Sequence, residues 1–415
     1  MLIPALVITL SCARNNDIRY FNLNNGLKVV FNHDSTPITS AVLVIGAGSS
    51  LKPYKAADIL TKSIFEGSTI RTRQQIFQEI EMMGGRLRFW TTDAVSIIQI
   101  RAPSSSFLKC FSIVCETISH PLFNDAHIRK VLDDAGPAAL GSNHLNYQDE
   151  RDDVRSLLFS DSDLVRAAGA SASNMSAKLI KKYYETYFRP ENIITAVSGS
   201  FTNSSILQVL STCWPPAETG KAYTRPSINT GKRAETTALF KEASGSTGKL
   251  VIAYRAPGTI EPDYYKTVLL SKIIGDGLNS TVRNALDGAG LTSSRVHSYY
   301  ARDYGYGYVV LRIKAPEHEY ERMRDTVIAA IDTVRNAGIN PEQFIIGKRK
   351  VLFDAAFRMQ YSSFKALILA SQVRSGSCLC PDDYRDRIVA IDIEELNRYA
   401  AVFLDAPVII SYEPR

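Results

Sequence analysis

"VSIIQIRAP", residues 95–103, returns 213 residues later as "YVVLRIKAP", residues 308–316. Each is a run rich in β-branched residues that closes on Ala-Pro, the composition of a buried strand. A second pair keeps the same order: "AKLIKKYYETYFRPENIITAVSG", residues 177–199, is answered by "IEELNRYAAVFLDAPVIISYEP", residues 393–414. Two matches at nearly one long offset make the repeating unit a whole domain rather than a short motif.

Working outward, the two halves read alike. Strands ("LKVVFN", 27–32, and "TSAVLVIGAG", 39–48; "GKLVIAYRAPG", 248–258) lead into a helix and then to the Ala-Pro strand. A long helix follows ("SSFLKCFSIVCETISHPLF", 105–123; "EYERMRDTVIAAIDTVRNAGI", 319–339), and each half ends on a strand ("NIITAVSGS", 192–200; "PVIISYE", 407–413). This mixture predicts an α+β fold of two tandem domains, each an antiparallel-rich sheet with helices on one face. The stretch "TCWPPAETGKAYTRPSINTGKR", 212–233, is rich in Pro, Gly, Thr and Ser and reads as a linker. Domains are therefore expected at 19–211 and 236–415, joined by 212–235 and preceded by an apolar leader at 1–18.

That leader, "MLIPALVITLSCARNN", has an apolar stretch too short for a bilayer-spanning helix, which needs about 20 residues. It has the apolar part and cleavage region of a secretory signal, with Cys12 where a lipoprotein cysteine would stand. The expectation is an exported protein, periplasmic or membrane-associated, with membrane anchoring through the N-terminus; a mitochondrial setting is the alternative.

Composition bounds the rest. A chain of 415 residues, 45% hydrophobic and 22% charged, can bury more than one core. The net charge of +6 comes without Lys/Arg blocks interleaved with aromatics, so no nucleic-acid partner is expected. The six cysteines, Cys12, Cys110, Cys115, Cys213, Cys378 and Cys380, show no paired C-x-x-C spacing of a zinc site and no disulfide framework. Cys110 and Cys115 fall in an apolar helical stretch and are expected to be buried thiols; Cys378 and Cys380 read as loop thiols. "DERDDVRS", 149–156, alternates in charge and reads as a solvated helix face.

Five stretches in series carry a resemblance: "LNNGLKVVFN" (23–32), "AGS" (47–49), "AADILTKSIFEGST" (56–69), "MMGGRLRFWTTD" (82–93) and "YYETYFRPENIITAVSG" (183–199). In order and spacing they resemble the pitrilysin/insulinase-type zinc peptidases, a group that includes mitochondrial processing peptidase and core subunits of the respiratory ubiquinol–cytochrome c reductase. The resemblance runs from about Arg19 to the end and implies tandem α+β domains that close like a clamshell. It also implies a metal site on the first helix, where active members carry H-x-x-E-H: two His four residues apart hold one Zn²⁺ and the Glu acts as general base.

Aligned on Phe65 and Gly67, those three positions hold Asp58, Thr61 and Lys62. Lys62 puts an ammonium where the second imidazole belongs, and a cation there repels a metal ion. Asp58 and Lys62, four apart, instead suit an ion pair worth about 0.2–0.5 kcal/mol on an exposed helix. Thr61 lacks the carboxylate that would take a proton from water. The family's third ligand is a Glu on a later helix; the matching segment, Ala135 to Ala139, has no carboxylate, and Asp133 and Asp134 lie just upstream. Gly136 and Pro137 are also expected to break that helix, Pro costing about 3 kcal/mol inside one.

In the second half the family holds substrate with an Arg and a Tyr. The matching stretch, "NALDGAGLTSSRVHSYY" (284–300), offers Asp287 for the Arg and Ser293 or Ser294 for the Tyr, with Arg295, Tyr299 and Tyr300 near enough to substitute. "GDGLNS", 275–280, reads as a helix boundary rather than a Gly-rich loop. None of His33, His120, His127, His144, His297 and His318 forms an i,i+4 pair.

The reading is a catalytically silent family member with no cofactor of its own. Zinc is expected only in a partner subunit, a homologous peptidase with which this chain forms a hetero-oligomer and a shared chamber for peptide substrate. The alternatives are an active metallopeptidase with rearranged ligands, drawn from Asp58, Asp133 or Asp134 with a distant His, and a core-type scaffold of a membrane complex.

Overall fold

The computed structural model describes residues 18–139, 145–160, 162–172, 175–214, 237–243, 246–259, 261–303, 305–375 and 381–414. The leader, most of the linker, Cys12, His144, Cys378 and Cys380 lie outside the described residues. The first sheet is built from β1 (Ile18–Asn22), β2 (Lys28–His33), β3 (Ile38–Ile45), β4 (Arg86–Thr91), β5 (Ser96–Pro103) and β6 (Ile193–Gly199). Helices α1 (Ala56–Ile64), α2 (Arg73–Met82), α3 (Phe107–Ser119), α4 (Asp125–Ala139), α5 (Leu145–Leu158), α6 (Asp163–Gly169), α7 (Ala177–Tyr187) and α8 (Asn203–Cys213) fall between and after its strands. The second sheet comprises β7 (Thr237–Ala243), β8 (Thr247–Ala256), β9 (Arg295–Arg302), β10 (Gly307–Pro316) and β11 (Val408–Pro414). Between its strands in chain order come α9 (Tyr264–Gly275), α10 (Thr281–Gly288), α11 (Tyr320–Ala337), α12 (Pro341–Arg358), α13 (Ser362–Ser375), α14 (Pro381–Ala390) and α15 (Ile393–Phe403).

The strand orders are β1-β2-β6-β3-β5-β4 and β7-β11-β8-β10-β9. The repeated Ala-Pro strands, β5 and β10, both stand second from an edge, and the other repeated pair becomes α7–β6 and α15–β11. One parallel contact recurs, β2 with β6 and β7 with β11, among otherwise antiparallel pairings. A mixed α+β fold with two similar sheets is what the repeat predicts.

The chain forms two compact units, each described by itself. The first holds residues up to 145, 166–229 and 357–380; the second holds 146–165, 230–356 and 381–415. In the first, alternate strand residues such as Phe31, Leu43, Ile98 and Ile100 face Ile59, Leu60, Phe65, Phe107 and Phe111 on the helices. This is the period of two set against the period of 3.6. In the second, Leu250, Ile252, Leu311 and Ile313 face Leu269, Leu270, Val327, Ile331 and Leu396. Side-chain caps start several helices: Thr72 and Gln75 form a reciprocal box on α2, and Ser176, Ser280 and Asp392 cap α7, α10 and α15.

The helical layer occupies one face of each sheet, and among the described residues one helix lies on the other. In the first unit it is α13, whose Ala366, Leu369 and Ala370, spaced as one helix face, pack on Val30, Val42, Val44, Ile97, Ile194 and Ala196. Lys365 pairs with Asp34 at 2.8 Å and pins it. In the second unit it is α5, and here the solvated-face reading of residues 149–156 is corrected. Glu150 is 1% exposed and Arg155 8%. Glu150 accepts from Arg312 Nε at 2.9 Å and pairs with Lys249 at 3.0 Å, both on the sheet. Alternating charge marks a solvated face only when the opposing surface carries no matching charges, and this one does.

A second correction concerns α4. It runs through Gly136 and Pro137 to Ala139. Pro137 is taken into this helix at the loss of the backbone bond to the carbonyl of Asp133.

Candidate functional site

The loop before α1 sets the geometry. At Gly48 an added Cβ would come within 2.2 Å of the Asp93 carbonyl, so only glycine lets these two backbone segments meet. Ser50 N–H donates to that same carbonyl at 3.0 Å, and the Ser49 hydroxyl stands 3.4 Å from the Asp93 carboxylate. Lys55, in the left-handed region at φ 66°, then turns the chain into α1. At the other end of α1, buried Glu66 is bound by Arg73 on α2 and by Lys130 on α4, the latter at 2.7 Å. The pattern that makes this junction, an acid just past the helix end, was not read from the sequence.

Asp58, Thr61 and Lys62 occupy one side of α1, as their i, i+3, i+4 spacing requires. Thr61 is 1% exposed, and its hydroxyl donates to Ser96 Oγ at 2.9 Å; Ser96 in turn donates to the Ala47 carbonyl at 2.8 Å. Thr91 Oγ1 lies 3.4 Å from Thr61 Oγ1. The Thr61 hydroxyl is thus a link in a run of hydroxyls that ends on a main-chain carbonyl, its proton already committed.

Asp58 keeps partial exposure, yet enough protein surrounds it that desolvation pushes its carboxyl up to about 7. Lys62 and Lys55 pull the value down, as does a hydrogen bond from Thr91, while Asp93 pushes it up; burial wins. The Asp58 and Lys62 charges attract one another, but near neutral pH the carboxyl is only partly ionised.

Zinc does not fit these groups. Its sites are built from neutral imidazole, thiolate and carboxylate, and this one offers a half-protonated acid, an engaged hydroxyl and an ammonium. Helix α4 packs against α1, and the segment that the resemblance matches to the third ligand, Ala135 to Ala139, holds no residue of a donor type. Asp133 and Asp134 are exposed. Two of the described histidines are engaged elsewhere: His33 bonds Asn203 Oδ1 at 2.7 Å and stacks on Phe201, and His127 lies 3.3 Å from the Leu122 carbonyl. Among the described residues, no three His, Cys, Asp or Glu side chains form a group that could hold a metal ion.

In the second unit Asp287 accepts from Arg283, one turn earlier on α10. Arg283, which sequence reasoning missed, is 9% exposed and also donates to the carbonyls of Ser294 (2.6 Å) and Leu291 (3.1 Å). It therefore gathers the loop that carries Ser293 and Ser294; its i,i+4 relation to Asp287 was the available signal. Ser294 is buried, and Ser293 faces Glu319 at 3.5 Å. Tyr299 and Tyr300 project from opposite faces of β9: Tyr300 donates to the Pro257 carbonyl, and Tyr299 lies under the Arg312 guanidinium. Residues 275–280 do form a helix boundary, with Ser280 capping α10.

Comparison with known proteins adds the following. Residues 28–139 match the family model described as Insulinase (Peptidase family M16), and residues 174–351 match the one described as Peptidase M16 inactive domain. The zinc protease YmxG of Bacillus subtilis is 17% identical over 92% of this chain and 95% of its own length. Human cytochrome b-c1 complex subunit 1 is 23% identical over 61% of this chain and 54% of that subunit. Among solved structures, a peptidase M16 inactive domain from Pseudomonas fluorescens superposes with a TM-score of 0.82 at 15% identity, covering 96% of this chain and 98% of its own. A protease from Helicobacter pylori gives 0.78 at 14% identity, covering 96% and 99%.

Proposed function

Because the chain belongs to the insulinase family of peptidases, family M16, we propose that it is a catalytically silent member that works beside a zinc-bearing homologue. In this reading it forms part of the wall of a closed chamber for peptides and leaves the hydrolysis to its partner. The observation that carries the reading is Thr61: its hydroxyl is hydrogen-bonded to Ser96 in the position of the general base, between a raised-pKa acid and an ammonium. The Asp287 and Ser293/Ser294 positions support it, since Arg283 uses that loop for its own hydrogen bonds. An exported or organellar location and the absence of resident zinc belong to the same proposal.

The test is affinity capture of the full chain from its native source, with mass spectrometry of what comes with it. Recovery of a homologue carrying H-x-x-E-H, with zinc in the complex and none in the isolated chain, is the expected result. Chelator-sensitive peptide cleavage by the isolated chain overturns the proposal in favour of a metallopeptidase with rearranged ligands. The similarity to a b-c1 complex subunit favours a second reading, a scaffold within a membrane assembly. Capture together with membrane proteins and no peptidase selects it.

A further inference from the structure

At the far end of β4, roughly 16 Å from Thr91 at about 3.3 Å per residue, the opposite face of the sheet gathers positive charge. Arg86 of β4 pairs in register with Arg101 of β5, and Arg88 with Gln99. Strand alternation puts all three arginines on the face that carries α13, away from α1. Ser40 of β3 stands beside Arg101 in the same row. Like charges directly opposite in a sheet repel, and among the described residues none of the three guanidiniums has a carboxylate in an ion pair. Burial first, and then the charges of Arg88 and Arg86, hold the Arg101 guanidinium below its ordinary value.

The N-terminus of α13 reaches the same place. Ser362 Oγ lies 2.8 Å from Ser40 Oγ, and Gln99 donates to the Ser363 carbonyl at 3.2 Å, which sets the first turn of this 14-residue helix next to Arg101. In this first turn the N–H groups of Phe364 and Lys365 donate to the Tyr361 carbonyl, and those of Ser362 and Ser363 open the helix, at the end that favours anions. A cavity of about 920 Å³ joins these groups: Arg86, Arg88, Arg101, Ser362, Ser363 and, as the one acid, Glu81 line it.

We propose that this cavity is a binding site for a phosphoryl group, held by the Arg86, Arg88 and Arg101 guanidiniums and the first turn of α13. Three cations against one carboxylate leave an excess of two charges, which a phosphate dianion matches and a single carboxylate does not. Guanidinium forks grip phosphate oxygens in pairs, which lysines in their place would not do. The site lies apart from the degenerate α1 motif and does not depend on the silent-subunit reading.

Calorimetric titration of the full chain with inorganic pyrophosphate tests this. Saturable binding is expected, weakened about tenfold by each of R86Q, R88Q and R101Q. Arg86 and Arg88 are exposed, so R86Q and R88Q keep the fold, which an unchanged thermal midpoint without ligand verifies. Flotation with vesicles containing phosphatidic acid identifies the source: retention lost in the R86Q/R88Q double variant assigns a lipid headgroup, and no retention alongside pyrophosphate binding assigns a soluble phosphate. The proposal is overturned if no saturation is seen up to about 10 mM pyrophosphate. Binding undiminished in the double variant, or glutarate binding as tightly as pyrophosphate, overturns it equally.

Discussion

Five strands of each sheet share one order, and among the described residues each sheet carries one helix on its second face, but the main contacts of these two helices differ in chemistry. Helix α13 lays Ala366, Leu369 and Ala370 on valines and isoleucines, whereas α5 presses Glu150 between Arg312 and Lys249, with Phe159 against Tyr306 and Tyr308. Apolar contact degrades by degrees, with the methylenes removed and the cavity left behind. A buried charge cluster fails abruptly when one member is lost, since the remaining charges stay behind without compensation. The difference shows that topology fixes where the covering helix goes and leaves the means of holding it open.

The largest effect is therefore expected at Glu150. Glu150→Ala should cost about 3–5 kcal/mol in urea denaturation. Replacing Glu150, Arg312 and Lys249 together with leucine or methionine should recover most of it and make the second unit resemble the first. A single variant with no effect breaks the contrast. Next comes its apolar counterpart: Leu369→Ala, at a site 1% exposed, should cost about 2–4 kcal/mol by the same measurement.

Asp58 offers a pH-dependent test. Its carboxyl rises from the ordinary 3.8 to about 7 on folding, so the folded chain holds its proton more tightly than the unfolded chain does. Stability from this group is complete below about pH 4 and is lost as pH climbs through about 7. Asp58→Asn should flatten that decline and gain on the order of 2 kcal/mol at pH 8, allowing for partial exposure. A variant whose unfolding free energy follows the parent between pH 4 and 8 removes the desolvated acid from the argument. The smallest change belongs to Asp287→Asn: that carboxylate is half exposed, Arg283 keeps its two carbonyl partners, and the cost should be about 0.5 kcal/mol by thermal denaturation.

Much of this architecture is legible from residues alone. The Ala-Pro strands land one place in from the edge of each sheet because identical patterns demand identical surroundings, and the three altered positions on α1 share a side because helical spacing leaves no choice. The covering helices were less legible. The spacing of Ala366, Leu369 and Ala370 announces a buried face but not which sheet receives it, and the charges of 149–156 give no hint that Arg312, more than 150 residues on, awaits one of them. Pro137 misled because a penalty of about 3 kcal/mol disfavours proline in a helix without forbidding it where buried residues such as Ile128 and Val131 anchor that helix. At Thr61 the missing carboxylate was plain, while the run of hydroxyls it joins needed the positions of Ser96 and Ala47. The arginine cluster escaped notice because Arg86 and Arg101 become neighbours only through the register of β4 and β5.

Helix α13 also has a bearing on how the polypeptide comes into being. The last strand of the first sheet is complete at Gly199, but the segment that shields its valine-rich side begins at Ser362, so during synthesis that side stays bare until most of the chain has left the ribosome. A fragment truncated after α8 should come out sticky and insoluble, and adding residues 357–380 as a separate peptide should rescue it.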